Sequence, residues 1–189
     1  RRRVRMSKKN NKFPLNLVIA GFGGQGVLLA GKLIAEAGLH EGREVSWIPS
    51  YGPEMRGGTA NCTVILSDSE IGSPVVENPD VLMILNRPSM DKFLPSLKKD
   101  GICIYNKSII EGFTPRSDVK MIAIPASEIA DKIGSTKLLN MVLVGSFMAN
   151  SKAFSEESLA YALKKSTSAK HQNLLPLNEK AILEGAKYI

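Results

Sequence analysis

The chain has 189 residues, of which 43% are hydrophobic and 23% charged. Those values suit a soluble globular protein with a real core and exclude fibrous and disordered classes. The formal charge of +7 comes from residues 1–12, where Arg1, Arg2, Arg3, Arg5, Lys8, Lys9 and Lys12 bring seven cations and no acid. Removing them from the 25 basic residues leaves 18 against 18 acidic ones, so the body is neutral. A neutral body argues against a reader of nucleic-acid backbones, which carries its charge on the fold itself.

The basic tail contains Met6, which would serve as a native start and make residues 1–5 an addition; the alternative is that the whole tail is native. No apolar stretch follows the cations before Phe13, so a secretory signal is not expected. The longest apolar-rich run, Leu138 to Ala149, is too short for a bilayer and contains Asn140 and Ser146. Cys62 and Cys103 have no CxxC spacing and only His40 and His171 for company, which gives neither a zinc site nor an iron–sulfur cluster. A reduced, cytoplasmic chain is the expectation.

In chain order, Leu15–Ala20 (LNLVIA) predicts a first strand ending in Gly21. From Gly24 to about Glu41 the apolar positions Val27, Ala30, Ile34, Ala37 and Gly38 share a helical face. Glu44–Ile48 predicts a second strand, stopped by Pro49, and Asn61–Leu66 a third, with Ile71 returning beside it. Val81–Leu85 is all apolar, as a strand covered on both faces requires. Pro88–Lys99 predicts a helix, with Pro95 against its last turn, and strands follow at Ile102–Tyr105 and Met121–Ile124. Helices are then expected over Ser127–Ile133, Leu138–Asn150, Ser155–Lys165 and Asn178–Tyr188, the last two capped by Ser155 and Asn178. Residues 166–177 read as a linker. The alternation predicts a three-layer, Rossmann-like α/β fold: a mostly parallel, mixed sheet, helices on both faces and a helical C-terminal part. Residues 13–189 are read as a single domain behind the basic tail.

Ligands of such sheets bind beyond the carboxyl ends of the strands. Here those ends read GFGGQG, PSYGPEMRGGT, NRPS, NKS and PAS, all polar or glycine-rich. Gly21-Phe22-Gly23-Gly24-Gln25-Gly26 fits G-x-G-x-x-G between a strand and a helix, where glycines let backbone N–H groups approach an anion. The same turn also serves simply to pack helix against strand. A nicotinamide site needs an acid at the end of the second strand, and Ile48-Pro49-Ser50 supplies none. The overlapping Gly26-Val27-Leu28-Leu29-Ala30-Gly31-Lys32-Leu33 matches a P-loop until Leu33, which has no hydroxyl for magnesium.

The stretch from Pro49 to Thr59 is long for a connection between two strands, and its contents point to function. Ser50 and Tyr51 offer hydroxyls, Arg56 a bidentate anion clamp, and Gly57-Gly58 bare amides before Thr59. The plain alternative is a surface loop that docks a neighbouring chain. Asn140, inside an apolar helix, reads as a satisfied buried amide, and both cysteines as small hydrophobes. Neither histidine has a carboxylate, Ser or Cys placed to form a dyad, so no catalytic residue and no metal ligand is assigned.

IAGFGGQGVLLAGKLIAEAG, WIPSYGPEMRGGTANCTVILSD, VLMILNRPSMDKF, NMVLVGSFMA and LPLNEKAILEG together resemble the gamma subunit of 2-oxoacid:ferredoxin oxidoreductases from about Asn16 to Tyr188. The SYGPEMRGGT segment after GGQG carries most of that specificity, and its spelling is nearest the 2-oxoglutarate and branched-chain members. The resemblance implies a subunit inactive by itself. Alpha, beta and often delta partners would hold thiamine diphosphate, Mg2+ and Fe-S clusters, reduce ferredoxin and form an acyl-CoA. The chain itself has no GDG…N segment for a magnesium diphosphate and too few cysteines for a cluster. Its expected contribution is binding and assembly: Gly21, Gly23, Gly24, Gln25 and Gly26, with Ser50, Tyr51, Arg56, Gly57, Gly58 and Thr59, would hold the phosphate-rich arm of CoA or shield the reaction from water. Isolated, the chain is expected to self-associate. Two other readings stand beside this one, a stand-alone nucleotide-binding regulatory module and an NAD(P)-dependent dehydrogenase.

Overall fold

The computed structural model describes residues 13–50, 59–167 and 169–189, so the basic tail lies outside the described residues. Six strands form one sheet in the order β2-β3-β1-β4-β5-β6. β1 (Leu15–Phe22), β4 (Val81–Ile84), β5 (Ile102–Asn106) and β6 (Lys120–Ile124) run parallel. β3 (Thr59–Ser67) inserts antiparallel between β1 and β2 (Glu44–Ser50). The mostly parallel, mixed α/β sheet is therefore as expected, with β3 as its reversed strand.

Two strand predictions need correction. β2 runs through Pro49 to Ser50, because β2 is an edge strand and a missing N–H is tolerated there. Ile71 forms no strand: β3 already has β2 on one side and β1 on the other, which leaves no free edge for a return.

Side-chain alternation divides the core. Leu17 and Ile19 of β1 and Val81 and Met83 of β4 face α1 (Val27–His40), α3 (Ala126–Ile133), α4 (Leu139–Ser151), α5 (Glu156–Ser166) and α6 (Leu175–Gly185). Val18, Ala20, Leu82 and Ile84 face the smaller cluster around Met90 of α2 (Arg87–Phe93). Among the described residues helices cover both faces, five against one. α2 is shorter than predicted because Pro95 helps convert its end into a 3-10 turn over Leu94–Ser96. α6 starts before Asn178, with Pro176 in its first turn, where the absent N–H costs no hydrogen bond, and a 3-10 segment at Ala169–Leu174 replaces part of the expected linker. Ser155 does cap α5, accepting from the Ser158 N–H at 3.2 Å, a device worth about 1 kcal/mol.

α4 is the central helix: Asn140 through Met148 are all buried. It crosses α6 at glycines. A Cβ on Gly145 would sit 1.9 Å from the Ile182 carbonyl oxygen, and one on Gly185 would sit 1.7 Å from that of Val142. Ser146 Oγ and Asn150 Nδ2 both donate to the Tyr188 carbonyl, at 2.9 and 2.8 Å, and pin the C-terminus to the same helix.

The end of α1 is clamped to the start of α5. The Ser155 N–H and the Ser158 hydroxyl both donate to Glu41 Oε1, at 2.7 and 2.8 Å, and His40 stacks on Tyr161 with centroids 4.2 Å apart. His40 Nδ1 lies 2.9 Å from Ser158 Oγ, so the histidine does have a serine partner that the sequence reading missed. The arrangement is no nucleophilic dyad, because the Ser158 proton goes to Glu41 and the hydroxyl is buried. Burial penalises the Glu41 carboxylate, but the Ser155 N–H, the two serine hydroxyls and Arg43 outweigh it and hold the group below its ordinary 4.5. A lowered carboxyl stabilises the fold above its unfolded value and loses that contribution as pH falls through the folded one. Glu41→Gln keeps an acceptor oxygen but cannot titrate. Thermal melts from pH 7 to 3 should show the wild-type advantage shrinking below about 4.5; a difference independent of pH would refute the clamp's electrostatic part.

Candidate functional site at the carboxyl end of the sheet

β1 and β4 are adjacent and parallel, yet α1 leaves β1 toward one face and α2 leaves β4 toward the other. Divergence of this kind opens a crevice at the carboxyl ends of the two strands, the place where open α/β sheets bind ligands. The glycine turn forms one wall. Gly24 and Gly26 have φ of 90° and 76°, values that favour glycine, and Gly26 begins α1 with no side-chain cap, leaving first-turn N–H groups unclaimed by any side chain. A Cβ on Gly24 would meet open space, so this corner faces outward.

Gly21, Gln25 and Gly26 instead pack or bond against the rest of the fold. A Cβ on Gly21 would lie 2.8 Å from that of Leu85, so glycine here permits strand, turn and helix to close on each other. Gln25 Oε1 accepts the Phe22 N–H at 2.6 Å, and Gln25 Nε2 donates to the Leu85 carbonyl at 3.3 Å. Its amide therefore ties the turn to the end of β4. Asn140 is the satisfied buried amide expected, donating to the Gly26 carbonyl at 3.2 Å. Gly23 is exposed in the turn.

The second motif begins and ends at the same rim. Ser50 closes β2 opposite Asn61, and Thr59 opens β3 opposite Phe22, the residue that begins the glycine turn. Ser50 is exposed. Tyr51, Arg56, Gly57 and Gly58 lie outside the described residues.

Three rim residues escaped the sequence reading as individuals. Asn86 lies two residues beyond β4 and caps α2, its Oδ1 accepting the Ser89 N–H at 2.8 Å, while its Nδ2 is buried with no partner. Arg87 pairs with Asp91 at 2.9 Å and donates to the Glu111 carbonyl. Asn106 ends β5, is fully buried, and accepts the N–H groups of Ala126 and Ser108 at 3.1 and 3.2 Å. The signal for the two asparagines was present: each directly follows an apolar run, Val81–Leu85 for Asn86 and Ile102–Tyr105 for Asn106. Phe22 at the end of β1, Leu29 in the first turn of α1 and Ile109 shortly after β5 stand exposed. Burial pushes the Cys62 and Cys103 thiols up to about 12, which makes both poor nucleophiles. Among the described residues, no group of three or more His, Cys, Asp or Glu could hold a metal ion, and no helix is long and apolar enough to cross a membrane.

The dinucleotide reading fails on topology as well as on residue type. In that fold β2 lies beside β1 and its end holds the ribose; here β3 lies between them.

Fold and rim together define a doubly wound α/β protein with its polar groups gathered at the carboxyl ends of the strands. The chain belongs to the pyruvate ferredoxin/flavodoxin oxidoreductase family, whose pattern matches residues 16–188. It is 40% identical over 171 residues to the ketoisovalerate oxidoreductase subunit VorA of Methanothermobacter marburgensis, covering 90% of this chain and 35% of that one. It is 33% identical over 161 residues to the 2-oxoglutarate synthase subunit KorC of Methanocaldococcus jannaschii, covering 84% of this chain and 86% of that one. The structure superposes with a TM-score of 0.83 on the 2-oxoglutarate:ferredoxin oxidoreductase of Magnetococcus marinus, solved with 2-oxoglutarate, coenzyme A and succinyl-CoA bound. There it shares 25% identity and covers 93% of this chain and 31% of that one. The chain thus spans about a third of the ketoisovalerate relative and most of the 2-oxoglutarate synthase subunit.

Proposed function

We propose that this chain is the gamma-type subunit of a cytoplasmic 2-oxoacid:ferredoxin oxidoreductase, acting on 2-oxoglutarate or a branched-chain 2-oxoacid. Residues 13–189 would work as one unit. Alpha and beta partners, often with delta, would supply thiamine diphosphate, Mg2+ and the Fe-S clusters that reduce ferredoxin. The observation that carries the reading is the meeting of two motifs at one rim: the turn at 21–26 and both ends of the 51–58 connection, brought together by the Phe22–Thr59 register. Nearly full-length similarity to a 2-oxoglutarate synthase subunit supports the substrate class.

The rim suits coenzyme A, which receives the acyl group as a thioester. An uncapped helix start and two positive-φ glycines are what a phosphate-bearing arm requires, and Gly24 leaves room for it. Arg56 would anchor the anion, with Tyr51, Gly57, Gly58 and Thr59 contributing to the same binding. Phe22, Leu29 and Ile109 would dock against a partner chain, and left exposed they would drive self-association of the isolated subunit.

The test is reconstitution with alpha and beta chains. Alone, the subunit should oxidise no 2-oxoacid; together, the chains should show CoA-dependent ferredoxin reduction. Gly24→Asp places a carboxylate in a conformation that Asp tolerates, facing the anion. It should raise the KM for CoA about tenfold, equivalent to ~1.4 kcal/mol, and Arg56→Ala should do the same. Unchanged CoA kinetics in both assembled variants would refute the CoA role, and unaided turnover would refute the subunit reading.

A further inference from the structure

The glycine turn is not self-supporting. Four backbone segments meet around it, and two side-chain amides join them: Gln25 links the end of β1 to the end of β4, and Asn140 reaches it from α4, 114 residues away. Asn140 is 2% exposed in a helix whose other buried residues are nearly all apolar. A polar group is costly in such a place unless it is hydrogen-bonded, and this one spends both ends of its amide. Oδ1 accepts the Met141 N–H at 3.0 Å, satisfying a donor in the uncapped first turn of α4, while Nδ2 donates to the Gly26 carbonyl. The fit is mutual, since a Cβ on Gly26 would sit 2.3 Å from Nδ2. Gly26 has φ 76°, a left-handed conformation at the start of α1, and the Asn140 side chain lies directly against it.

We infer that Asn140 is a positioning residue, holding the Gly26 peptide so that the start of α1 faces the ligand without touching the ligand itself. The functional half of this inference rests on the CoA reading above; the structural half does not. α4 thereby couples the turn to the α4–α6 crossing and the C-terminus.

Two variants separate the two ends of the amide. Asn140→Ala removes both bonds. Asn140→Asp keeps the acceptor for the Met141 N–H but removes the donor to Gly26. In the reconstituted complex both variants should raise the KM for CoA about tenfold and leave kcat at saturating CoA within about twofold. In the isolated chain, amide exchange at Phe22 and Gln25, whose N–H groups close the turn, should speed up about tenfold in both, with the middle of β1 unchanged. If Asn140→Asp restores wild-type kinetics and exchange, the amide merely caps α4 and the inference falls. It falls equally if turn exchange is unchanged in both variants. Faster exchange with an unaltered KM, while Gly24→Asp does raise it, would overturn the functional half. If Gly24→Asp and Arg56→Ala are also silent, the CoA reading fails and the exchange data still decide the brace.

Discussion

Replacing Gly145 or Gly185 by Ala should cost the isolated chain about 3 kcal/mol or more each, at the upper end for overpacking. At both positions the added carbon would meet backbone, 1.9 Å from the Ile182 oxygen and 1.7 Å from the Val142 oxygen, and no rotamer change can relieve that. The helices must separate. Separation also pulls the Tyr188 carbonyl from Ser146 and Asn150, and it opens the packing of Ala181 and Ile182, both in the main core. Urea unfolding followed by circular dichroism should show a lower midpoint, and hydrogen exchange should show α6 losing protection ahead of β1, β4 and β5. A change below about 0.5 kcal/mol, the range of an ordinary surface substitution, would mean that the helices do not cross this closely.

Gly26→Ala should be the second most damaging change, and harsher than Gly24→Ala in the same turn. Both positions have positive φ, which costs an alanine about 1–2 kcal/mol. At Gly24 that is the whole penalty, because the new methyl faces open space. At Gly26 the methyl also strikes the Asn140 amide, which must swing away and surrender its bond to the Gly26 carbonyl, at about 1 kcal/mol more. Combining Gly26→Ala with Asn140→Ala should therefore cost less than the two single changes added together. A double-mutant cycle built on urea midpoints would read this coupling as more than about 0.5 kcal/mol. Strict additivity would show that the two residues do not meet.

Much of the molecule was legible in the sequence because its signals are local. Alternating apolar and glycine-rich segments gave the strands, α1 and the polar rim, since side-chain period and turn chemistry act over a few residues. The motifs GFGGQG and SYGPEMRGGT carried the family. Pro49 and Pro95 show the limits of that reading. A proline removes an N–H, and whether the loss matters depends on whether a neighbour needed it: at the sheet edge none did, and at the end of α2 the helix tightened.

What folding alone decided are contacts between residues far apart in the chain. The insertion of β3 between β1 and β2 follows from pairing energies that no single strand carries, and it removes the dinucleotide site while placing Thr59 beside Phe22. Asn140 looked like an interruption in an apolar helix until Gly26 came to lie against it. Gly145 and Gly185, forty positions apart, look like ordinary helical glycines in sequence and become the point of closest helix approach only when α6 returns over α4. Sequence determines which residues are small, apolar or polar at short range. Which of those small residues must stay small is settled only when distant backbone arrives, because steric exclusion is a property of the packed chain.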